Sequence, residues 1–180
     1  MIDGSSNPLI PLNMFVRVAG DDDVDSIVSL VAAAHAELGP ERGGETWTQS
    51  EARPAPFRLS VIADMASNAH VVVAGIDDVV LGVAITKTRT RHDGRLVAHV
   101  GELIVDPPAR GIGLGASLLD DATVWAARVG AVGIESVALP GQRATKNFFE
   151  AAGMKARLLT VFRDLTEPEI PSLAQGSDGD

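Results

Sequence analysis

Three glycines alternate at positions 111, 113 and 115 inside VDPPARGIGLGASLL, the stretch from Val105 to Leu119. The residues before it read as a strand and those after it as a helix, so the glycines fall at a helix N-terminus. The first amides of a helix have no partner within it and lie at the positive end of its dipole, which makes that end a ready phosphate site. Glycines remove the side chains that would hold a pyrophosphate off the backbone. The nucleotide-triphosphate loop is excluded, because no G-x-x-x-x-G-K-[ST] occurs. A dinucleotide fingerprint fits Gly111, Gly113 and Ala116 as G-x-G-x-x-A, with Glu135 further on. Against it, Asp106 to Arg110 separate the glycines from their strand, and Glu135 falls inside the next strand rather than at its end. Tight packing of helix on strand is the remaining explanation.

The elements that must hold this turn follow from periodicity. FVRVA (Phe15 to Ala19) reads as a short strand. The next segment places Val24, Ile27, Val28, Val31, His35 and Leu38 on one helical face, with Asp22 or Asp23 as N-cap and Gly39-Pro40 as the stop. ERGGETWTQSEARPAP reads as a long polar loop, a length that tends to be functional, and a second helix is expected over Phe57 to Ala66. HVVVAGI, VVLGVAITKTRT and RLVAHVGELIV are strands joined at Asp77-Asp78 and His92-Asp93-Gly94, an antiparallel meander. After the glycine turn, Leu114, Leu118, Ala122, Trp125, Ala126 and Val129 recur at helical spacing. VGIESVAL, RATKNFFEAA and KARLLTVFRDL then give strand, helix and a last strand. The order βα(α)βββαβαβ predicts a mixed α/β fold, with one strand–helix–strand unit joined to the meander.

With 180 residues the chain suits one domain. Its formal net charge of −9 argues against nucleic acid or an anionic membrane as partner and leaves room for a cationic small molecule. No apolar run is long enough to span a bilayer, and the N-terminus carries no secretory pattern. The chain has no cysteine, which excludes disulfides and thiolate metal sites and fits a reducing cytoplasm. No metal-ligand spacing occurs among the histidines. Tyrosine is also absent.

GELIVDPPARGIGLGASLLDDA resembles the acetyl-CoA-binding region of the GNAT N-acetyltransferases, whose pattern is Arg/Gln-x-x-Gly-x-Gly/Ala after a strand. Arg110, Gly113 and Gly115 match it. Downstream, GQRATKNFFEAAGM resembles the family's fourth helix, and the element order from Phe15 to Leu165 is also the family's. The resemblance implies a central, mostly antiparallel sheet that splays into a V between strands 4 and 5, with helices on both faces. It implies an acetyltransferase domain over 14–165, between a flexible segment at 1–13 and a flexible acidic tail at 166–180. Acetyl-CoA is the implied acetyl donor. Its pyrophosphate would meet Arg110 and the amides of Gly111, Ile112, Gly113, Leu114, Gly115 and Ala116. Its pantetheine arm would lie along Leu103, Ile104 and Val105, near Gln142 and Phe149.

Direct attack by a primary amine, of a small molecule or a peptide, is the implied reaction, since no cysteine can carry an acetyl group. A homodimer is compatible with the family. An alkylammonium of pKa about 10.4 must lose a proton, which costs about 4–5 kcal/mol at pH 7. His99 occupies the position that best matches the family's glutamate base, and Glu102 is the neighbouring candidate. Phe149 stands where the family commonly has a tyrosine acid. That departure motivates the alternative of a catalytically weak acyl-CoA-binding or regulatory module. His35 reads as a core residue, Lys87, Arg89 and Arg91 as a solvated hairpin edge, and Trp47 as either an acceptor-pocket wall or a cap on the core.

Overall fold

Val71, Val72, Val73 and Ala74 are all buried. An uninterrupted apolar run of this kind marks a strand covered on both faces. The computed structural model describes residues 13–163 and residue 165, so the terminal segments expected at 1–13 and 166–180 lie outside the described residues except for Asn13. The strands are β1 (Met14–Val18), β2 (His70–Ile76), β3 (Val79–Thr90), β4 (Leu96–Val105) and β5 (Ile134–Ser136). They form one sheet in sequence order, antiparallel from β1 to β4 and parallel between β4 and β5.

Among the described residues five α-helices surround it: α1 (Val24–Leu38), α2 (Gly44–Ser50), α3 (Phe57–Met65), α4 (Leu114–Arg128) and α5 (Arg143–Ala151). Side chains alternate across each strand. Val71, Val73, Val83 and Ile85 therefore join Ile27, Leu30, Val31 and Val61 of α1 and α3. Val72, Ala74 and Ala84 face Leu114 and Leu118 of α4 on the other side. The small residues on that face let α4 approach closely: a Cβ at Gly82 would lie 3.1 Å from Leu118 Cδ1.

Three expectations change. The segment read as a long polar loop contains α2. Asp23 does not cap α1 with its side chain; its carboxylate instead accepts from Gly20 N at 2.7 Å and from Arg17 at 2.6 and 2.9 Å. The last strand is absent, since residues 155–163 carry no regular structure. Among the described residues no helix is long and apolar enough to cross a membrane.

Candidate functional site

The glycine turn departs from its neighbours in backbone conformation. β4 makes its last ladder bond beyond its end, from Asp106 N to Leu81 O at 2.8 Å. Pro107 and Pro108 then lead a single 3-10 turn, where their fixed φ and missing N–H groups stop the ladder. Gly111 at φ +85° and Gly113 at φ +104° adopt left-handed conformations that a side chain would strain. Gly113 is also the N-cap of α4 and has no side chain to cap it. The first amide with a partner is Ser117 N, which donates to Gly113 O at 3.0 Å. Among the described residues the six amides from Gly111 to Ala116 therefore have no acceptor within the chain. Leu114 faces the other way and is 1% exposed, anchoring the helix start in the core. The result is a rigid nest of N–H groups at the positive end of a 15-residue helix, suited to an anion.

Beside this nest the sheet opens. β4 pairs with β5 only at Ala98, His99 and Val100, while β4 itself continues to Val105. Because Asp106 N turns toward β3, alternation directs the polar groups of Leu103 and Val105 to the open edge and those of Ile104 toward β3. Val105 O accepts from Arg110 Nε at 3.0 Å. The floor of the opening lies at Gly115, where a Cβ would stand 3.5 Å from Phe148 and 3.6 Å from Val105. Phe149 meets Phe148 edge-on at 5.3 Å, and both pack on Val100, Leu119 and Ala122. Gln142 is the N-cap of α5, and its side-chain oxygen accepts from Thr145 Oγ1 at 3.0 Å. The Arg110 guanidinium forks onto Glu37 of α1 at 2.7 and 2.6 Å. Its hydrogen bonds hold the Glu37 carboxyl below its ordinary range.

His99 and Glu102 are three residues apart and would normally point to opposite faces. The register corrects this. Thr86 pairs with Val100 and Ile85 with Glu102, so Gly101 is an extra residue in β4. This bulge brings both side chains to the face that carries α1 and α3. Their surroundings differ. His99 lies beside its cross-strand neighbour Glu135, with Nδ1 3.4 Å from Oε1, and Arg89 reaches the same carboxylate. Glu102 is gripped by Arg53 through Nε at 2.6 Å and Nη2 at 3.0 Å. Arg53 Nη2 also bonds Asp64 at 2.7 Å, and Lys87 Nζ lies 2.7 Å from the other Asp64 oxygen. The Arg53 side chain is 5% exposed. Burial opposes its charge, but the hydrogen bonds and charges of Glu102 and Asp64 outweigh burial and raise its pKa.

His35 is half-buried rather than a core residue. Its ring lies 5.0 Å from Trp47 and 4.6 Å from Phe57. Burial lowers its pKa, with Glu102 pulling it up and Arg53 pushing it down, so neutral imidazole is favoured. Lys87, Arg89 and Arg91 are exposed as a solvated hairpin edge should be, and Lys87 and Arg89 also pair with Asp64 and Glu135. The residues missed in the sequence are thus Arg53 and Asp64, together with the helix α2 that carries Trp47. Asp64 carries a signal that was available: Phe57, Val61 and Asp64 share one helical face, which puts an acid at a core-facing position. Arg53 carries none, since nothing separates it from other arginines in a polar loop.

The chain matches the model of the acetyltransferase (GNAT) family over residues 32–154. No curated protein sequence matches it. Its fold is similar to that of an acetyltransferase from Trypanosoma brucei, with 23% identity, a TM-score of 0.61 and coverage of 85% of this chain and 100% of that one. It is also similar to a mutant BH1408 protein from Bacillus halodurans, with 18% identity, a TM-score of 0.73 and coverage of 84% and 99%. A third likeness is to the aminoglycoside N-acetyltransferase AAC(6')-Iy in complex with CoA, with 16% identity, a TM-score of 0.68 and coverage of 87% and 97%. At these identities the likenesses establish the fold.

Proposed function

The chain belongs to the acetyltransferase (GNAT) family, and from that premise we propose that it transfers the acetyl group of acetyl-CoA to a primary amine. The observation that carries the reading is the adjacency of two open sets of backbone groups. The six amides of Gly111 to Ala116 suit a pyrophosphate, and the edge at Leu103 and Val105, where Val105 O alone is taken, by Arg110, suits the amide-bearing pantetheine arm. The acetyl thioester would then lie toward the bulge at Gly101. A backbone donor at the thioester oxygen is typically worth about 3–4 kcal/mol in such reactions.

Attack is direct within a ternary complex, because the chain has no cysteine to form an acetyl-enzyme. A base takes one proton from the ammonium, the freed amine nitrogen bonds to the carbonyl carbon, the carbon–sulfur bond breaks, and the second nitrogen proton passes through solvent to the departing thiolate. His99 is the better candidate for that base than Glu102, whose two oxygens are already held by Arg53. No tyrosine is available to protonate the departing thiolate. A thiol of pKa about 8.5 leaves tolerably well without one. If His99 accepts the proton, His99→Ala should lower kcat/KM by about 10²–10⁴-fold and flatten the acid limb of its pH profile. An unaltered profile shifts the role to Glu102.

The acceptor is an amine of a small molecule or a peptide, and the acidic chain favours a cationic one. A second reading rests on Phe149 and the clamped Glu102: an acyl-CoA-binding module with little turnover. Thermal unfolding with acetyl-CoA, CoA, NAD and ATP in parallel tests both. At 100 times its Kd a ligand adds about 2.7 kcal/mol, which raises the Tm of a domain of this size by several degrees. A shift with acetyl-CoA and CoA alone is expected; a shift with NAD alone, or with none of the four, refutes the acyl-CoA site. Binding without acetyl transfer to any of a broad panel of amines selects the second reading.

A further inference from the structure

His99 stands in the middle of a charged row that crosses the sheet on the face carrying α1 and α3. Its register partners are Lys87 on β3 and Glu135 on β5. Lys87 is held by Asp64, Glu135 by Arg89, and Glu102, further along β4, by Arg53. β5 pairs with β4 at three positions, and Glu135 is the middle one. Ser136 pins that pairing by donating from Oγ to Val100 O at 2.9 Å. Strand register, rather than the reach of a long side chain, therefore fixes Glu135 beside His99.

The two ring nitrogens differ in their surroundings. Nδ1 is buried and makes no hydrogen bond among the described residues, and Glu135 Oε1, buried as well, lies 3.4 Å from it. Were Nδ1 the unprotonated nitrogen, its lone pair would face a carboxylate oxygen away from water, two acceptors with no proton between them. A proton on Nδ1 turns the same contact into a charge-assisted hydrogen bond after a shift of about half an ångström. The side chain is 29% exposed, and with Nδ1 sealed it is Nε2 that remains for a bound amine. We propose that Glu135 is the positioning residue of His99: it accepts from Nδ1–H, so the neutral ring keeps its lone pair on Nε2 and presents it to the acceptor amine. This role rests on the reading of His99 as the base. Nε2 takes the ammonium proton, and both ring nitrogens then carry hydrogen. The positive charge so formed sits against the Glu135 carboxylate until Nε2 returns the proton to solvent.

Nitrogen-15 NMR of the histidine rings in the full chain, at mildly alkaline pH where imidazole is neutral, reads the tautomer without any turnover. The His99 signals, assigned by their loss in His99→Ala, are expected in the Nδ1–H form, against the Nε2–H form that free histidine favours. Glu135→Ala should return the ring to Nε2–H. It should also lower kcat at least ~10-fold, though by no more than the ~10²–10⁴-fold expected for loss of the base itself. The KM for the amine and the affinity for acetyl-CoA should stay unchanged, which a merely structural lesion at β5 would not allow. The Nε2–H form in the wild type overturns the proposal, and that readout needs no variant to fold. Wild-type kcat in a folded Glu135→Ala overturns it as well. Failure of the underlying reading looks different: full activity of His99→Ala removes the base, and with it this role for Glu135, even where the wild-type ring is in the Nδ1–H form.

Discussion

Gly113→Asp is expected to abolish acetyl-CoA binding while leaving the protein folded. Gly113 sits at φ +104°, so any side chain there meets backbone strain of about 1–3 kcal/mol. It meets no steric wall, since a Cβ would lie 3.8 Å from the nearest atom, Met14 Cε. The carboxylate would stand among the six free amides from Gly111 to Ala116, where negative charge at a helix N-terminus is favourable. That contact offsets part of the strain and at the same time takes the position intended for phosphate. Two like charges about 4 Å apart near a protein surface repel by roughly 4 kcal/mol, and the displaced amide contacts add to this. Calorimetry should therefore show affinity for acetyl-CoA falling by at least ~10³-fold. Gly113→Ala, which brings the strain without the charge, should lose much less. Retention of affinity in the Asp variant to within tenfold would mean that the pyrophosphate lies elsewhere.

Arg53→Met should produce the largest loss of stability. Arg53 is the shared partner of Glu102 and Asp64, and its side chain is 5% exposed. Removing one member of a buried ionic group costs about 3–5 kcal/mol, here because Glu102 is left desolvated without its partner while Asp64 keeps only Lys87. For a chain of this length that corresponds to a fall in Tm of about 10 °C. Adding Glu102→Gln to the same chain should recover part of the loss, whereas two independent sites would simply add. A Tm within 2 °C of the wild type, measured by calorimetry at neutral pH, would show the network to be incidental. Arg53 ties the segment between α1 and α3 to the strand position immediately after the bulge, so its loss should disturb the alignment of His99 with the open edge of β4 even in molecules that remain folded.

Much of this molecule is written locally. The alternating glycines, the prolines that end β4 and the apolar face of α4 each act within a few residues, through backbone φ, missing donors and helical period. The anion nest was therefore readable from Val105 to Leu119 before any fold was known. The run HVVVAGI likewise announced a strand, and the structure covers Val71 to Ala74 on both faces. Family resemblance then supplied the fold and the expectation of an acetyl donor, and the match over 32–154 upheld the family.

Other features depend on residues distant in sequence. The bulge at Gly101 exists only as a mismatch of register with β3, and it decides that His99 and Glu102 share a face. Glu102 meets Arg53 across 49 positions, and Arg110 meets Glu37 across 73; no spacing within either segment encodes those pairs. α2 formed where polar composition suggested a loop, and His35 left the core for a ring cluster that includes Trp47 of that helix. The residues at 155–163 show the opposite limit: their alternation reads as a strand, yet they form none and stay exposed, because pairing is a property of the assembled sheet rather than of the segment. What the chain determined by itself was the set of groups whose chemistry is local. Which of them stand free to react and which are held by partners was decided only when the tertiary structure fixed strand register and buried the charges.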